Sequence, residues 1–406
     1  MKICQIADIH QGLGYPGTSP LSRFEDINRV LDWTADYLIA EKVDLVLIAG
    51  DCFKDAKVMF DRGADETICI GNWLRKISSA GIEVIVISGT PSHDSIAGYK
   101  ILKEMQIPNV SIYTQPQIMP VFITGGPGEE DVNVACLPGL NRSSLMTQDE
   151  YKCLPPEQVH RIMTDKITQL CQGMAAQMPD DKPKILMSHL TYQGCDSGFQ
   201  DLLMQHEPIL TREATQGFNL ICLGHIHRPQ VIDSKVFYSG PIERLSFNEE
   251  DILPGFWIHD VGVSKKLEIQ PYPIYSQFIE TPARRYVTLE LDQLDMEHVL
   301  SADLAYVAFM QEIDLKDSIV RLCYSCSEEV AKQLNRKQLE KALYDAGAFY
   351  VSEIKADVQR VDRARDNSVN ESLGPLEALD KWAINQGIEE SERQALAVLT
   401  SELMEG

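Results

Sequence analysis

With 406 residues, 44% of them hydrophobic and 24% charged, the chain has an ordinary globular composition and the length for two or three domains that need no covalent staples. A net charge of -23 argues against a chain that simply coats nucleic acid, but leaves room for a nuclease, whose metal-holding carboxylates themselves add acidity. No apolar run reaches the ~20 residues of a bilayer span, MKICQIADIH lacks a signal-peptide core, and the ten scattered cysteines suit reduced thiols, so a cytoplasmic location without membrane contact is expected.

In chain order, Met1 to Asp8 reads as a short strand ending in Asp8-Ile9-His10. Ser22-Arg-Phe-Glu25 has the pattern of a capping box, and Phe24, Ile27, Leu31 and Leu38 then recur at helical spacing. Val43 and Leu45 to Ala49 form a run too continuously apolar for a strand with one wet face, so a doubly covered strand is expected, with Asp51 at its carboxyl end. A second helix is expected from about Ala64 to Ala80, and a strand from Ile82 to Ile87 that leads into Ser-Gly-Thr-Pro-Ser-His-Asp at 88–94. Shorter strands follow beyond Asn109, with turn signals at 124–128. A helix from about Pro156 to Gln177 precedes a strand ending at His189, and another strand, Phe218 to Leu223, ends in Gly224-His225-Ile226-His227.

Asp, or His, therefore stands at several strand ends, where ligands gather in layered α/β folds. In Asp-x-His and His-x-His both side chains point to one side of an extended segment, so each pair can chelate one centre. Asp51, on the central strand, is the natural bridge between two such centres. Two metals can clamp a phosphate ester and activate a bridging water, which points to phosphodiester hydrolysis. The donors are oxygen and nitrogen without thiolate, suiting Mn²⁺, with Mg²⁺ as the alternative.

The order Asp8-Ile-His10, Gly50-Asp51-Cys-Phe, Ser88 to Asp94, Ser188-His189-Leu, Gly224-His-Ile-His227 resembles the calcineurin-like metallophosphoesterases. Within them, VFYSGPIERLSFNEED at 236–251 and the stretch 284–354 resemble the SbcD-type nucleases of DNA double-strand-break repair. The resemblance implies a four-layer α/β/β/α fold over 1–275, a small α+β capping domain contacting DNA over 280–354, and helices for a partner over 355–406. It further implies two divalent ions, with Asp8, His10 and His227 holding the first, Asp51 bridging, and His189 and His225 holding the second. Its partners would be double-stranded DNA ends and an SbcC-like ATPase of the SMC type, with a homodimer inside a heterotetramer.

One motif departs from the family. Where the pattern is Gly-Asn-His-Asp, this chain has Gly89-Thr90-Pro91-Ser92-His93-Asp94, lacking the Asn ligand and carrying two extra residues. His93 with Asp94 keeps an imidazole and a carboxylate to orient it, fit to stabilise the scissile phosphate or to protonate the leaving oxygen. The other reading puts His93 in the missing ligand's place. Lys54, three residues after the bridge, is a candidate phosphate contact. Two rival functions stay open: a phosphoesterase for small phosphodiesters or phosphoproteins, and a catalytically weakened scaffold that binds DNA ends.

Cys323-Tyr-Ser-Cys326 has zinc spacing, but an alternating strand would put its thiols on opposite faces. His160, His206, His259 and His298 read as surface or core residues, and Arg360, Arg363 and Arg365 as a solvated face interleaved with acids. Amphipathic stretches at 375–385 and 392–403 suit packing on a partner.

Overall fold

The computed structural model describes residues 1–14, 20–56, 63–122, 131–140, 154–198, 207–262, 272–301, 313–359 and 373–405. The turn signals at 124–128, His206 and the arginines at 360, 363 and 365 lie outside these residues. In chain order the strands are β1 (Lys2–Ile6), β2 (Leu45–Ala49), β3 (Glu83–Ile87), β4 (Val110–Tyr113), β5 (Gln117–Phe122), β6 (Asp131–Leu137) and β7 (Lys184–His189). They continue with β8 (Thr191–Tyr192), β9 (Ile209–Leu210), β10 (Leu220–Gly224), β11 (Gln230–Ile232), β12 (Val236–Tyr238), β13 (Gly255–Val261) and β14 (Ile274–Glu280). Last come β15 (Tyr286–Leu291), β16 (Ile319–Ser327) and β17 (Tyr350–Gln359). The helices are α1 (Pro20–Ala40), α2 (Gly63–Ser79), α3 (Ile96–Glu104), α4 (Pro156–Gln177), α5 (Gln293–Ser301), α6 (Glu328–Gln333), α7 (Arg336–Asp345), α8 (Pro375–Asn385) and α9 (Glu390–Glu405).

Two six-stranded sheets organise residues 1–280, in the orders β14-β13-β1-β2-β3-β4 and β11-β12-β10-β7-β6-β5. Each is parallel at its centre, as in β1-β2-β3 and β6-β7-β10; the first gains antiparallel strands at its β14-β13 edge and the second at both edges. Parallel central strands are covered on both faces, and β2 is buried at every position. Successive residues of a strand face opposite ways, so Ile3, Ala7, Leu45, Leu47 and Ala49 pack between the sheets against Val134, Met187 and Cys222. Cys4, Ile6, Val46 and Ile48 pack outward with Ile27, Leu31 and Leu38 of α1 and Trp73 and Leu74 of α2. On the other side, Ile167, Cys171 and Met174 of α4 cover Leu186 and Ile221. The result is the expected α/β/β/α layering.

Several element boundaries differ from the sequence reading. α1 begins at Pro20, two residues before the expected capping box. α3 has no counterpart in that reading; it starts at Ser95, whose side chain accepts the Gly98 N–H at 3.2 Å. The stretch 328–345 forms two helices, α6 and α7. β17 is a long strand that continues to Gln359.

Contacts divide the chain into two compact units, one comprising Met1–Glu290, Ala302–Cys323 and Arg336–Lys355, the other Leu291–Ser301, Tyr324–Asn335 and Ala356–Gly406. Within the first, Arg284 makes a two-pronged contact with Asp26, Nη2 to Oδ1 at 2.7 Å and Nε to Oδ2 at 2.9 Å, while Arg23 pairs with the same carboxylate at 2.7 Å. Within the second, Arg393 of α9 pairs with Asp380 of α8 at 3.1 Å. All nine cysteines among the described residues are free. No helix among them is long and apolar enough to cross a membrane.

Candidate metal centre

The centre lies where β1, β2, β3, β7 and β10 end. The chain turns sharply after each strand, and Asp8, His10, Asp51 and His225 all take positive φ, at 54°, 48°, 51° and 93°. Such angles cost an L-residue energy, and they concentrate where a rigid frame aims functional groups. The turns are tied together by their backbones: Asp8 N–H donates to Gly50 O at 3.1 Å, and His10 N–H to Asp51 O at 2.9 Å. Gly89 is required by close approach, because a Cβ there would overlap Asp51 Oδ1.

Two clusters of donors gather within 4.8 Å, Asp8 with His10 and His227, and Asp8 with Asp51 and His189. The first is the expected first-ion set. Asp51 is almost wholly buried, and its two oxygens part company: Oδ2 is 3.5 Å from His10 Nε2, while Oδ1 is 3.3 Å from His189 Nε2. Oδ1 also accepts the Thr90 N–H at 3.0 Å. A carboxylate so placed can serve two centres. In the second cluster Asp8 stands where His225 was expected. The His225 ring lies 5.1 Å from that of His189, with its Nδ1 3.5 Å from Thr90 Oγ1 and its Nε2 2.6 Å from Glu207 Oε2.

Burial and mutual charge set the protonation of these groups. Burial would raise the Asp51 carboxyl, but the imidazoles of His189, His93 and His10 outweigh it and hold it well below the usual carboxylate range. Asp8 is raised, chiefly by burial. Desolvation lowers His10 to about 3. Desolvation also opposes charge on His189 and His227, yet Asp51 raises the former to about 10 and Glu249 the latter to about 9.

Do these residues fit divalent metal? His10 Nε2 and His189 Nε2 are buried and make no hydrogen bond. Buried polar nitrogens without such a partner are costly in a folded protein, and metal coordination is one way to satisfy them. The hard oxygen and imidazole set suits ions such as Mn²⁺, Mg²⁺ or Zn²⁺. The residues fit.

The 88–94 loop behaves differently from expectation at one point. His93 Nε2 sits 3.0 Å from Asp51 Oδ2 and its Nδ1 3.2 Å from Ser92 Oγ, with the side chain 43% exposed. Asp94 does not supply the expected hydrogen bond to the His93 ring. Its carboxylate accepts Asp51 N–H at 3.2 Å, Phe53 N–H at 3.1 Å, Gly89 N–H at 2.6 Å and Tyr99 O–H at 2.6 Å. Asp94 thus braces the backbone of the bridging turn. Lys54 sits in that turn, half-buried, its backbone N–H donating to Gln11 O at 3.1 Å.

Two glutamates at the centre escape the sequence reading. Glu249 holds His227 Nδ1 at 2.7 Å, and Glu207 meets His225. Glu249 lies in the 236–251 segment but nothing there marks it as a partner of His227, and only chain reversal through β11 and β12 returns it to the histidine 22 residues before it.

The calcineurin-like phosphoesterase family profile matches residues 1–229. Among solved structures, the chain is similar to GAP50, the anchor in the inner membrane complex of Plasmodium, at 12% identity and a TM-score of 0.38, over 69% of this chain and 89% of that one. It is also similar to a dimetal phosphatase from Danio rerio, at 11% identity and a TM-score of 0.36, over 69% of this chain and 97% of that one. TT1561 of Thermus thermophilus matches at 13% identity and a TM-score of 0.31, covering 68% and 97%.

Proposed function

Because the chain belongs to the calcineurin-like phosphoesterase family, whose members are generally metal-dependent hydrolases, we propose that it hydrolyses DNA phosphodiesters as the nuclease subunit of an SbcD-type end-processing complex. The observation that carries the hydrolytic reading is the Asp51 carboxylate, with one oxygen toward His10 and the other toward His189. Asp8, His10 and His227 would hold one ion and His189 and His225 the other, with Asp51 between. Ions bound there supply Lewis-acid polarisation of the phosphoryl oxygens and acidify water. The protein's own part is to orient the ester and exclude alternatives. His93, partly exposed beside Asp51, is the group placed to hold a proton for the leaving oxygen.

Support for DNA comes from the likeness of 236–251 and 284–354 to the SbcD-type nucleases. Support for an ATPase partner comes from α8 and α9, where Trp382, Ile384, Val398, Leu399 and Leu403 are exposed. A scattered exposed leucine is normal, but so many large apolar groups on two adjoining helices suit a docking face. Mn²⁺ is the expected ion.

The test is Mn²⁺-dependent degradation of end-labelled linear duplex DNA by the purified chain, with Asp51→Asn as the control for contaminants. Degradation that falls by roughly 10³-fold in the variant supports the nuclease. If duplex DNA survives, even with an SMC-type ATPase and ATP, while a small phosphodiester is cleaved, the chain is a small-ester phosphoesterase. Thr90 in the place of the family's asparagine favours a second reading, a scaffold that binds DNA ends without cutting; it requires that neither substrate be cleaved.

A further inference from the structure

The 3₁₀ turn Phe247–Glu249 delivers a carboxylate that is 1% exposed, and both of its oxygens are engaged. Oε1 lies 2.7 Å from His227 Nδ1, and Oε2 accepts the Leu245 N–H at 2.7 Å. The support is itself held. Arg244 Nε donates to the Glu249 carbonyl at 3.2 Å, and the neighbouring Glu250 accepts the Thr288 N–H at 2.6 Å. An ionised carboxylate can only accept, so the shared proton belongs to His227 Nδ1, and when the ring gives up its second proton the lone pair falls to Nε2.

We propose that Glu249 is the positioning residue of the first ion set, fixing the tautomer and the orientation of His227 so that Nε2 is the donor offered beside Asp8 and His10. The inference rests on the two-metal reading of the centre. Metal-ligating histidines depend on such outer carboxylates for ring orientation and basicity, and losing one weakens metal binding 10–100-fold. Asp8 and His10 leave the same strand end and are tied by backbone bonds to Gly50 and Asp51. His227 comes from a different sheet, beyond the end of its strand, and gains its fixed angle from Glu249.

The experiment is a Mn²⁺ binding isotherm, counting free ion, on the full chain and on Glu249→Ala and Glu249→Gln, with no substrate present. Glu249→Ala is expected to weaken one of two binding steps by 10–100-fold. Glu249→Gln keeps an amide oxygen that can accept from Nδ1–H, and should bind within roughly tenfold of the original chain. An isotherm unchanged in Glu249→Ala overturns the proposal, as does a Gln variant no better than the Ala one. The zinc-loaded original chain, labelled with ¹⁵N-histidine, should show the His227 proton on Nδ1 by NMR; a proton on Nε2 overturns the proposal even if the variants do not fold. An original chain that binds fewer than two ions brings down the two-metal reading, and the tautomer then still decides the role of Glu249.

Discussion

The two halves of the centre are built in different ways. The first, Asp8 with His10 and His227, hangs on the ends of β1 and β10, and Asp8 accepts the backbone N–H of His225 at 3.0 Å, so one ligand pins the segment carrying another. Beneath it, Gln5 of β1 spans both sheets, its amide donating to Leu223 O at 3.0 Å and Phe237 O at 2.8 Å. The second half has Asp51, His189 and His225 at strand ends, but Thr90 and His93 beside them come from the 88–94 loop. Sheet hydrogen bonds fix a strand end to within a fraction of an ångström, whereas a loop can lengthen by two residues and still close. The half that departs from the family pattern is the half that a loop supplies.

The largest effect expected is from Asp94→Ala, which strips four donors of their acceptor and should lower stability by about 3–5 kcal/mol, measured by denaturant unfolding. A loss below about 1 kcal/mol would mean that the loop does not need this brace. His93→Ala comes next. It should cut phosphodiester cleavage by roughly 10²–10⁴-fold and leave both ions bound, whereas loss of one ion would make His93 a member of the second set.

The brace under the first half can be broken with acid. Both Gln5 amide protons are donated, so Gln5 Oε1 accepts from His259 Nε2 at 3.1 Å, and His259 Nδ1 accepts from Ser276 Oγ at 2.8 Å. Desolvation lowers buried His259 from 6.5 to about 3. The unfolded chain therefore takes up a proton between pH 6.5 and about 3 that the folded chain refuses, and stability falls with pH through that window and is flat above it. The contribution is about 2 kcal/mol at pH 5. His189 and His227, raised in the metal-free chain, push stability the other way over their own windows, so the quantity to measure is the difference between the chain and His259→Gln. Equal acid sensitivity in the two would remove His259 from this role. The smallest effect is expected from Thr90→Asn, which restores the family's amide and should tighten the second ion by roughly threefold to tenfold. Unchanged binding would show that the two inserted residues have moved this position out of reach.

The chemistry of the centre could be read from the chain because it lies in short local patterns. Asp8 and His10, or His225 and His227, are each a dipeptide step apart, and the apolar residues before each mark a strand whose end they occupy. The layers were legible for the same reason, since burial on both faces removes the polar alternation from β2 and helical spacing places Ile27, Leu31 and Leu38 on one side of α1. Carboxylates that act from a distance could not be read. Asp94 looks like the partner of the histidine beside it, yet four donors contributed by residues 51, 53, 89 and 99 claim its oxygens. Glu249 looks like one acid in an acidic run, until the turn after β12 buries it against His227. The sequence by itself determined that carboxylates and imidazoles stand at the ends of these strands. Only the tertiary structure decided which oxygen faces which nitrogen, because a hydrogen bond depends on an approach of about 3 Å between groups whose separation along the chain carries no information about it.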